Sequence, residues 1–318
     1  MTPIRANRSE SLAAFAAAFP DDAACVRHVF EARFGEGTVC RACLRPARWK
    51  QGRGKRFEST CCHHELTVTA GTFLSHCHAP LTRVFYAVLL AALFDGKISA
   101  NALARQLGVT VKTAWRLSDR IRAQMSLLAR PVSLPYRGKV YVDEMRLARV
   151  ASRQGPARPA IIFGITDRRD STFFRLPDRR ADTICAVVER TVAPGAEVVA
   201  DGFPSYDRLA SRGFRLSRVI HSTGMWKNGN GDTSSPIESR WAEVRKRIER
   251  VHQRVYVEHL WKYLGQLSFI LSCRKSGESP FWKAISRFPE FSEASLARAR
   301  ASIDLTVAGG LGEVASDP

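Results

Sequence analysis

Apolar and polar residues alternate with a period of two over several short stretches in the middle of the chain, which is the pattern of β-strands. It predicts strands at Lys139–Leu147, Arg158–Thr166, Ser171–Leu176, Glu197–Asp201 and Arg218–His221. The first three have short connections, so we expect them to pair antiparallel. Helical stretches at 180–192 and 204–211 separate the last three strands. This order predicts an α/β fold with a mixed sheet and helices on its faces.

The clearest helical period in the chain follows a glycine-rich polar loop at residues 222–235. Apolar side chains recur every three or four positions over 237–255, and basic side chains fill the other faces of this helix. A second helix is expected at 259–274. The weaker pattern after it predicts short helices and a disordered tail beyond Val307.

The first part of the chain combines short helices with a cysteine-rich segment. Helical patterns at 9–34 precede the cysteines, and three more follow at 80–129. The last two, Ser99–Leu107 and Val111–Met125, are separated by a short turn that begins at Gly108. This spacing fits a helix-turn-helix motif and also a plain helical hairpin. In the first interpretation the start of the second helix enters the DNA major groove. The residues that face DNA would then be Thr110, Lys112, Thr113 and Arg116.

The chain is strongly basic. Its 318 residues include 49 Lys and Arg against 30 Asp and Glu, which gives a formal charge of +19 and a pI near 10.2. Such an imbalance favours a polyanionic partner such as nucleic acid. The longest apolar run, Val84–Phe94, is shorter than the roughly 20 residues that cross a bilayer. Leu12–Phe19 resembles a signal peptide but lacks a cleavage site. We therefore expect a cytoplasmic protein that binds nucleic acid and has no membrane partner.

Six of the eight cysteines precede residue 80, a clustering that favours a metal site over disulfides. Cys40 and Cys43 form a CxxC knuckle, and the second half of the motif, STCCHH from Ser59 to His64, is irregular. Zn²⁺ accepts thiolate and imidazole ligands. The predicted Zn²⁺ ligands are Cys40, Cys43, Cys62 and one of Cys61, His63 or His64, of which His63 is chosen. The alternative is a metal-free knuckle packed on apolar residues.

Three acids stand where a sheet and a helix can bring them together. Asp143 lies inside an apolar strand, Asp201 ends another strand, and Glu238 opens the long helix. Sites in α/β proteins usually lie at the carboxyl ends of the strands, and hard divalent cations prefer carboxylate oxygens. These acids therefore predict a site for Mg²⁺ or Mn²⁺ that performs phosphoryl transfer. Glu144 and Glu243 are reserve carboxylates.

Each acid also has a purely structural interpretation. Asp143 can pair with a nearby arginine, and Asp201 can be a turn acid before Gly202. The segment Ser235-Pro-Ile-Glu238 fits a capping box with proline at the first helical position. Capping and metal binding can coexist, so the sequence leaves both roles open for Glu238.

Several motifs follow one another along the chain, namely FPDDAAC, LTVTAGTF, LARQLGVTVKTAWRLSDRIR, VYVDEMRL, VVADGFPSY, IESRW and HLWKYLGQLSF. With them the chain, over roughly residues 12–275, resembles DDE-type insertion-sequence transposases with an N-terminal zinc ribbon and a ribonuclease-H-like core, the ISXO-two-like group. The resemblance implies that Asp143, Asp201 and Glu238 are catalytic and bind Mg²⁺ or Mn²⁺. It also implies Zn²⁺ in the ribbon, double-stranded DNA as the partner, both as element ends and as target, and a homo-oligomer on DNA.

The resemblance implies a mechanism as well. Two Mg²⁺ ions held by the acids would activate water to nick the ends of the element, and then the freed 3′-hydroxyl to attack target DNA. Arg245 and Lys246 would hold phosphates. Three positions depart from the family pattern, with Ser59 for Cys, Ser235 for Asn and Arg245 for Lys. The alternative function is therefore a DNA-binding regulator with impaired catalysis.

Four modules follow from the patterns and the resemblance together. Residues 1–79 are predicted to hold the N-terminal helices and the zinc-ribbon-like module, and residues 80–130 the helix-turn-helix. A linker at 131–137 leads to the ribonuclease-H-like catalytic domain at 138–275. Residues 276–318 form a partly disordered C-terminal extension.

Overall fold

The computed structural model describes residues 12–35, 39–40, 42–129, 135–153, 155–219, 233, 235–252 and 255–307. The chain divides into two compact units. The first comprises Met1–Gln124 with Ser276–Ser295, and the second comprises Met125–Lys275 with Leu296–Pro318.

In chain order the helices are α1 Leu12–Ala18, α2 Asp22–Phe34, α3 Leu81–Leu93, α4 Ala100–Leu107, α5 Val111–Leu127, α6 Ala181–Thr191, α7 Arg208–Ser211, α8 Ser235–Arg245, α9 Leu260–Ser276, α10 Pro280–Ser286 and α11 Glu293–Ile303. The strands are β1 Trp49–Gln51, β2 Arg56–Ser59, β3 Glu65–Thr67, β4 Lys139–Val150, β5 Arg158–Thr166, β6 Ser171–Leu176, β7 Glu197–Asp201 and β8 Arg215–Val219. Within the described ranges no helix is both long and apolar enough to cross a membrane.

Hydrogen-bonded helix ends and packed aromatic rings organise the first unit. Asp22, in the first turn of α2, accepts hydrogen bonds from the backbone N–H groups of Leu81 and Thr82 at 3.0 and 2.9 Å, which holds α2 against the start of α3. Phe19 packs edge-on against Phe85, with ring centroids 5.0 Å apart. Strands β1, β2 and β3 pair antiparallel in a small sheet. The unit therefore combines helices with a three-stranded ribbon.

The second unit is built on a five-stranded sheet with the order β6-β5-β4-β7-β8. The β4–β5 and β5–β6 pairs are antiparallel, whereas the β4–β7 and β7–β8 pairs are parallel. Parallel neighbours need a crossover connection, and α6 supplies the one that leads into β7. The predicted α/β fold class, a ribonuclease-H-like mixed sheet, is confirmed.

The start of strand β8 differs most from its prediction, and strand pairing explains the difference. Strands β5, β6 and β7 have the predicted limits. Strand β8 begins at Arg215, three residues before the predicted start, because it pairs along all of β7, from Glu197 opposite Arg215 to Asp201 opposite Val219. His221, where the predicted strand ends, lies outside the described residues.

A single apolar cluster joins α6 to strands β4 to β7. Its fully buried members include Val140, Phe163, Phe174, Ile184, Val187, Val188 and Val198. Tyr136 also belongs to this cluster, pairs with Val192 in an isolated bridge, and contacts the Thr172 hydroxyl through its own at 2.9 Å. The end of the predicted linker at 131–137 is thus part of the fold. The Tyr136 ring is buried in the apolar cluster, although the residues around it in sequence are typical of a loop.

The C-terminal segment closes the β6 edge of the sheet. Asp304 is fully buried and forms an ion pair with Arg175 of β6 at 3.0 Å. The backbone N–H of Leu305 donates to the Arg175 carbonyl oxygen at 2.9 Å, and its side chain joins the apolar cluster. The short helices predicted after α9 are present as α10 and α11. The contacts of Asp304 and Leu305 with β6 were not visible in the local sequence, because Arg175 lies far away along the chain.

The long helix after β8 changes its winding partway. Helix α8 ends at Arg245 and continues as a π-helical turn over Lys246–Val251. The wider turn places the consecutive residues Arg247 and Ile248 both in buried positions. The sequence period over 237–255 predicted one regular α-helix. The structure corrects this, because the α-helical winding ends at Arg245 and the π-helical turn ends at Val251. Such turns occur often at functional sites.

Candidate active site

The register of two parallel strands brings two of the predicted acids together. Tyr141 of β4 lies opposite Val199 of β7, so Asp143 and Asp201, each two residues further on, come side by side where β7 ends. Glu238 joins them from the first turn of α8. All three acids line one cavity of about 120 Å³, whose other walls are Tyr141, Val142, Val199, Ala200, Val219 and Ile237.

Asp143 is held by hydrogen bonds to both of its carboxylate oxygens. Its Oδ1 accepts from the backbone N–H of Glu144 at 2.8 Å, and its Oδ2 accepts from the indole N–H of Trp241 at 2.7 Å. Burial raises the pKa of Asp143 to about 6, and the charges of Glu144 and Asp201 act in the same direction, against the lowering effect of the two hydrogen bonds. Across the described residues, none of the ion pairs involves Asp143, so the arginine-paired interpretation has no support there.

Asp201 combines the two roles that its sequence allowed. Its Oδ1 accepts a hydrogen bond from the backbone N–H of Phe203 at 2.9 Å, the local bond of a turn acid. The residue also lines the cavity with Asp143. A carboxylate has two oxygens and several acceptor sites, so the turn bond leaves acceptor capacity for a ligand.

Glu238 is exposed and lines the cavity. It lies three residues after the first residue of α8, which agrees with both a capping and a ligand role. The other half of the predicted capping box is Ser235, whose side chain lies outside the described residues.

Glu144, the first reserve carboxylate, is engaged away from the cavity. Its side chain is 1% exposed, and its Oε1 accepts from Nε of Arg179 at 2.9 Å. Its Oε2 accepts from the hydroxyl of Tyr206, which is fully buried. Burial first, and then the charge of Glu144, raise the pKa of Tyr206 far above its usual range. This network ties β4 to the segment that follows Asp201, and nothing in the local sequence pattern indicates it.

Glu243, the second reserve carboxylate, is engaged by arginines. Its Oε1 lies 3.5 Å from Nη1 of Arg274 on α9 and 4.0 Å from Nη1 of Arg240 one turn earlier on α8. It does not line the cavity of the three acids. Glu243 therefore serves as a natural control for Glu238.

Residues 137–271 match the family model of the ISXO2-like transposase domain. This region is an ISXO2-like transposase domain. The resemblance to insertion-sequence transposases of this group is confirmed, and the domain supports a role as a DNA transposase. Its matched range runs from just before β4 into α9, so it contains all three acids. No curated protein matches the chain.

Two predicted phosphate-contacting residues lie on the surface of the transposase domain. Arg245 ends α8 and Lys246 begins the π-helical turn, and both side chains are exposed. The neighbouring Arg247 is 1% exposed, which excludes it from the same surface. The winding change at this point thus separates two exposed basic side chains from a buried one.

The predicted DNA-facing residues of the first unit are exposed at the start of α5. Gly108 adopts the left-handed conformation (φ 61°) that ends α4. Thr110 then accepts a hydrogen bond from the Thr113 backbone N–H at 3.2 Å, as an N-cap does. All four predicted residues, Thr110, Lys112, Thr113 and Arg116, are exposed. DNA reading by α5 remains a prediction.

Four thiols converge at the cysteine-rich segment of the first unit. The sulfur atoms of Cys40, Cys43, Cys61 and Cys62 lie within 4.8 Å of one another. Of the three candidates for the fourth ligand, Cys61 therefore lies with the others. His63, the residue chosen from the sequence, has a largely exposed ring that contacts Glu58 at 2.5 Å. Ser59 is buried beside the thiols, with its Oγ 3.6 Å from Sγ of Cys62.

The shared environment of the thiols separates their proton affinities. For Cys40, burial raises the pKa, but hydrogen bonds from the backbone of Cys43 and Ala42 outweigh it and bring the pKa to about 6. For Cys43, a backbone bond from Arg45 lowers the pKa, but the neighbouring thiols, Cys61 foremost, raise it to about 12. Thiols crowded in this way are suited to a cation that replaces their protons.

Proposed function

We propose that this protein is a DNA transposase that cuts DNA at the ends of an insertion sequence and joins the freed 3′ ends to target DNA. The observation that carries the proposal is the meeting of Asp143, Asp201 and Glu238 around one cavity inside an ISXO2-like transposase domain. These three are the proposed catalytic and metal-binding acids.

The donor set fits hard divalent cations. Three carboxylates line a small cavity, and the crowding of negative charge helps to raise the pKa of Asp143. Oxygen donors of this kind suit Mg²⁺ and Mn²⁺. When bound, such cations would activate a water or a DNA 3′-hydroxyl as nucleophile and stabilise the charge that develops around phosphorus.

The residues of the chain position the acids and the DNA. Backbone and indole N–H groups orient Asp143, and the turn bond to Phe203 orients Asp201. Exposed Arg245 and Lys246 are proposed to hold backbone phosphates, a contact that fixes the register of DNA without reading its sequence.

The first unit is proposed to recognise the ends of the element. Zn²⁺ held by the four thiols would stabilise the ribbon, and the exposed start of α5 would contact double-stranded DNA as the second helix of a helix-turn-helix. Because the two ends of an element must be processed together, we propose that the protein acts as a homo-oligomer on DNA. We also propose that this activity takes place in the bacterial cytoplasm, at the nucleoid, because that is where such a DNA substrate lies.

Cleavage of the DNA that borders the gene tests the proposed function. Purified protein is incubated with duplexes carrying these terminal sequences, with Mg²⁺ or Mn²⁺, and the products are resolved by strand. We expect nicks at the junction, followed by joining to a second duplex. Asp143→Asn and Asp201→Asn should abolish both steps, whereas binding to the duplex should persist. Wild-type protein that binds these ends but cuts none of them would identify a DNA-binding regulator instead.

A further inference from the structure

Trp241 occupies a position that its sequence pattern marks only as apolar. It belongs to the hydrophobic face of α8 and is 4% exposed. Its indole N–H nevertheless donates to Oδ2 of Asp143 at 2.7 Å. Resting on the proposed function, we propose that Trp241 is a positioning residue, which holds the carboxylate of Asp143 in the orientation that receives the divalent cation.

The sheet leaves room for the Trp241 ring at the one residue opposite Asp143. In the β4–β5 register Asp143 lies opposite Gly164. A Cβ atom at Gly164 would lie 2.6 Å from Cη2 of Trp241 and 2.9 Å from Cδ1 of Ile237, closer than real Cβ atoms approach other heavy atoms. The missing side chain therefore lets the indole lie directly on β5, where its N–H reaches β4.

The chemistry of the indole suits a carboxylate that must remain anionic. A Trp side chain donates one hydrogen bond, accepts none and carries no charge. An Arg or Lys at this place would also orient Asp143, but its positive charge would oppose a cation in the cavity. The neutral donor fixes the carboxylate and leaves its negative charge available. Partners of this kind orient metal ligands in many sites.

The same contact also connects two of the acids. Trp241 lies three residues after Glu238, so the two side chains are neighbours on α8. Anchoring the indole to Asp143 therefore sets the distance between α8 and β4 at the level of the cavity. Loss of the indole N–H should loosen both ligands without removing either carboxylate.

Indole NMR on the full-length chain tests the contact without reference to activity. The protein has six tryptophans, and the indole N–H signal that disappears in Trp241→Phe is that of Trp241. We expect this signal to move on addition of Mg²⁺, and to move in Asp143→Ala while the signals of distant tryptophans stay in place. A Trp241 signal that is unchanged in folded Asp143→Ala, or that ignores saturating Mg²⁺, would overturn the proposal.

Cleavage as a function of Mg²⁺ concentration tests the consequence. Trp241→Phe should need about 10- to 100-fold more Mg²⁺ for half-maximal cleavage, with unchanged affinity for DNA. Trp261→Phe is the matched control, because Trp261 is similarly buried, at 3% exposed, in the same unit. It should keep the wild-type Mg²⁺ requirement. A Trp241→Phe variant that melts earlier but has the wild-type Mg²⁺ requirement would assign Trp241 to packing alone. Wild-type protein that cuts no DNA would refute the proposed function. The NMR experiment still tests the contact between Trp241 and Asp143 in that case, because it does not depend on cleavage.

Discussion

Neighbouring acids in β4 have different roles because successive residues of a strand point to opposite faces. Asp143 lines the cavity, whereas Glu144 is buried with both oxygens engaged by Arg179 and Tyr206. From the sequence, Asp143 was a predicted metal ligand and Glu144 a reserve carboxylate for the same site. Only their opposite orientation in the folded sheet separates a candidate ligand from a structural group.

The two roles open to Glu238 differ in their response to loss of charge. Glu238→Gln keeps an oxygen that can cap a helix but loses the negative charge that a divalent cation prefers. We expect the variant to melt within a few degrees of wild type and to lose cleavage by at least about 100-fold, since metal contacts supply several kcal/mol to such reactions. Thermal melting and strand cleavage check the two parts separately.

Glu243→Gln is the matched control for that substitution. It makes the same chemical change on the same helix, at a carboxylate that contacts Arg274 outside the cavity. It should retain cleavage. Equal activity of Glu238→Gln and wild type would limit Glu238 to capping.

The fourth ligand of the predicted zinc site is also decided by single residues. The structure places Cys61 with the other thiols, whereas His63 contacts Glu58. We expect about one Zn²⁺ per chain, lost in Cys61→Ser and retained in His63→Ser, because structural sites are four-coordinate. Elemental analysis of protein made with excess zinc checks this, and zinc retained in Cys61→Ser but lost in His63→Ser would reverse the assignment.

At the scale of elements, the close approach of α8 to β5 depends on Gly164. Gly164→Ala places a methyl group against Trp241 and Ile237. Overpacking of this kind costs about 1–3 kcal/mol, and it should also displace α8 and with it Glu238. We expect a lower melting temperature together with loss of cleavage under conditions where the variant is folded.

Gly265→Ala separates destabilisation from displacement of the site. A Cβ there would lie 2.4 Å from Oγ of Ser126, so the clash is similar, but the residue lies on α9 away from the acids. This variant should lose stability and keep cleavage. Activity in Gly164→Ala equal to that of Gly265→Ala would contradict the role given to α8.

Helix α5 is the element predicted to read DNA, and Arg116 on its exposed face tests this. If the guanidinium contacts a base edge, Arg116→Ala should cost about 1–3 kcal/mol on the preferred sequence and much less on unrelated sequences. Competition binding with terminal and unrelated duplexes measures the difference. A uniform loss on all duplexes would make Arg116 a phosphate contact.

For the whole molecule, the charge of +19 predicts that binding to DNA is dominated by ion release. The logarithm of the association constant should fall linearly with the logarithm of salt concentration. Arg245→Gln with Lys246→Gln should reduce that slope by about 2, since each phosphate contact contributes nearly one. Fluorescence anisotropy over a salt series measures the slope, and an unchanged slope would remove these two residues from the DNA contact.

The sequence by itself determined the order of the strands and helices of the second unit, the basic charge and the three acids, because these depend on local periodicity and residue type. The three short strands of the first unit, β1 to β3, were not predicted. Strands β5 to β7 have their predicted limits, and the acids stand inside one strand, at the end of another and in the first turn of a helix, as predicted. The family resemblance, confirmed over residues 137–271, rests on the same local motifs.

Tertiary structure decided the contacts between residues that are distant in the chain. The bond from Trp241 to Asp143, the gap at Gly164, the pairing of Arg175 with Asp304 and the convergence of Cys61 with the other thiols all depend on such contacts. Local periodicity carries no information on them, since it records which face of an element is apolar and not which atom lies opposite. A tryptophan on an apolar face therefore predicts burial, and only the fold reveals that its N–H reaches a carboxylate.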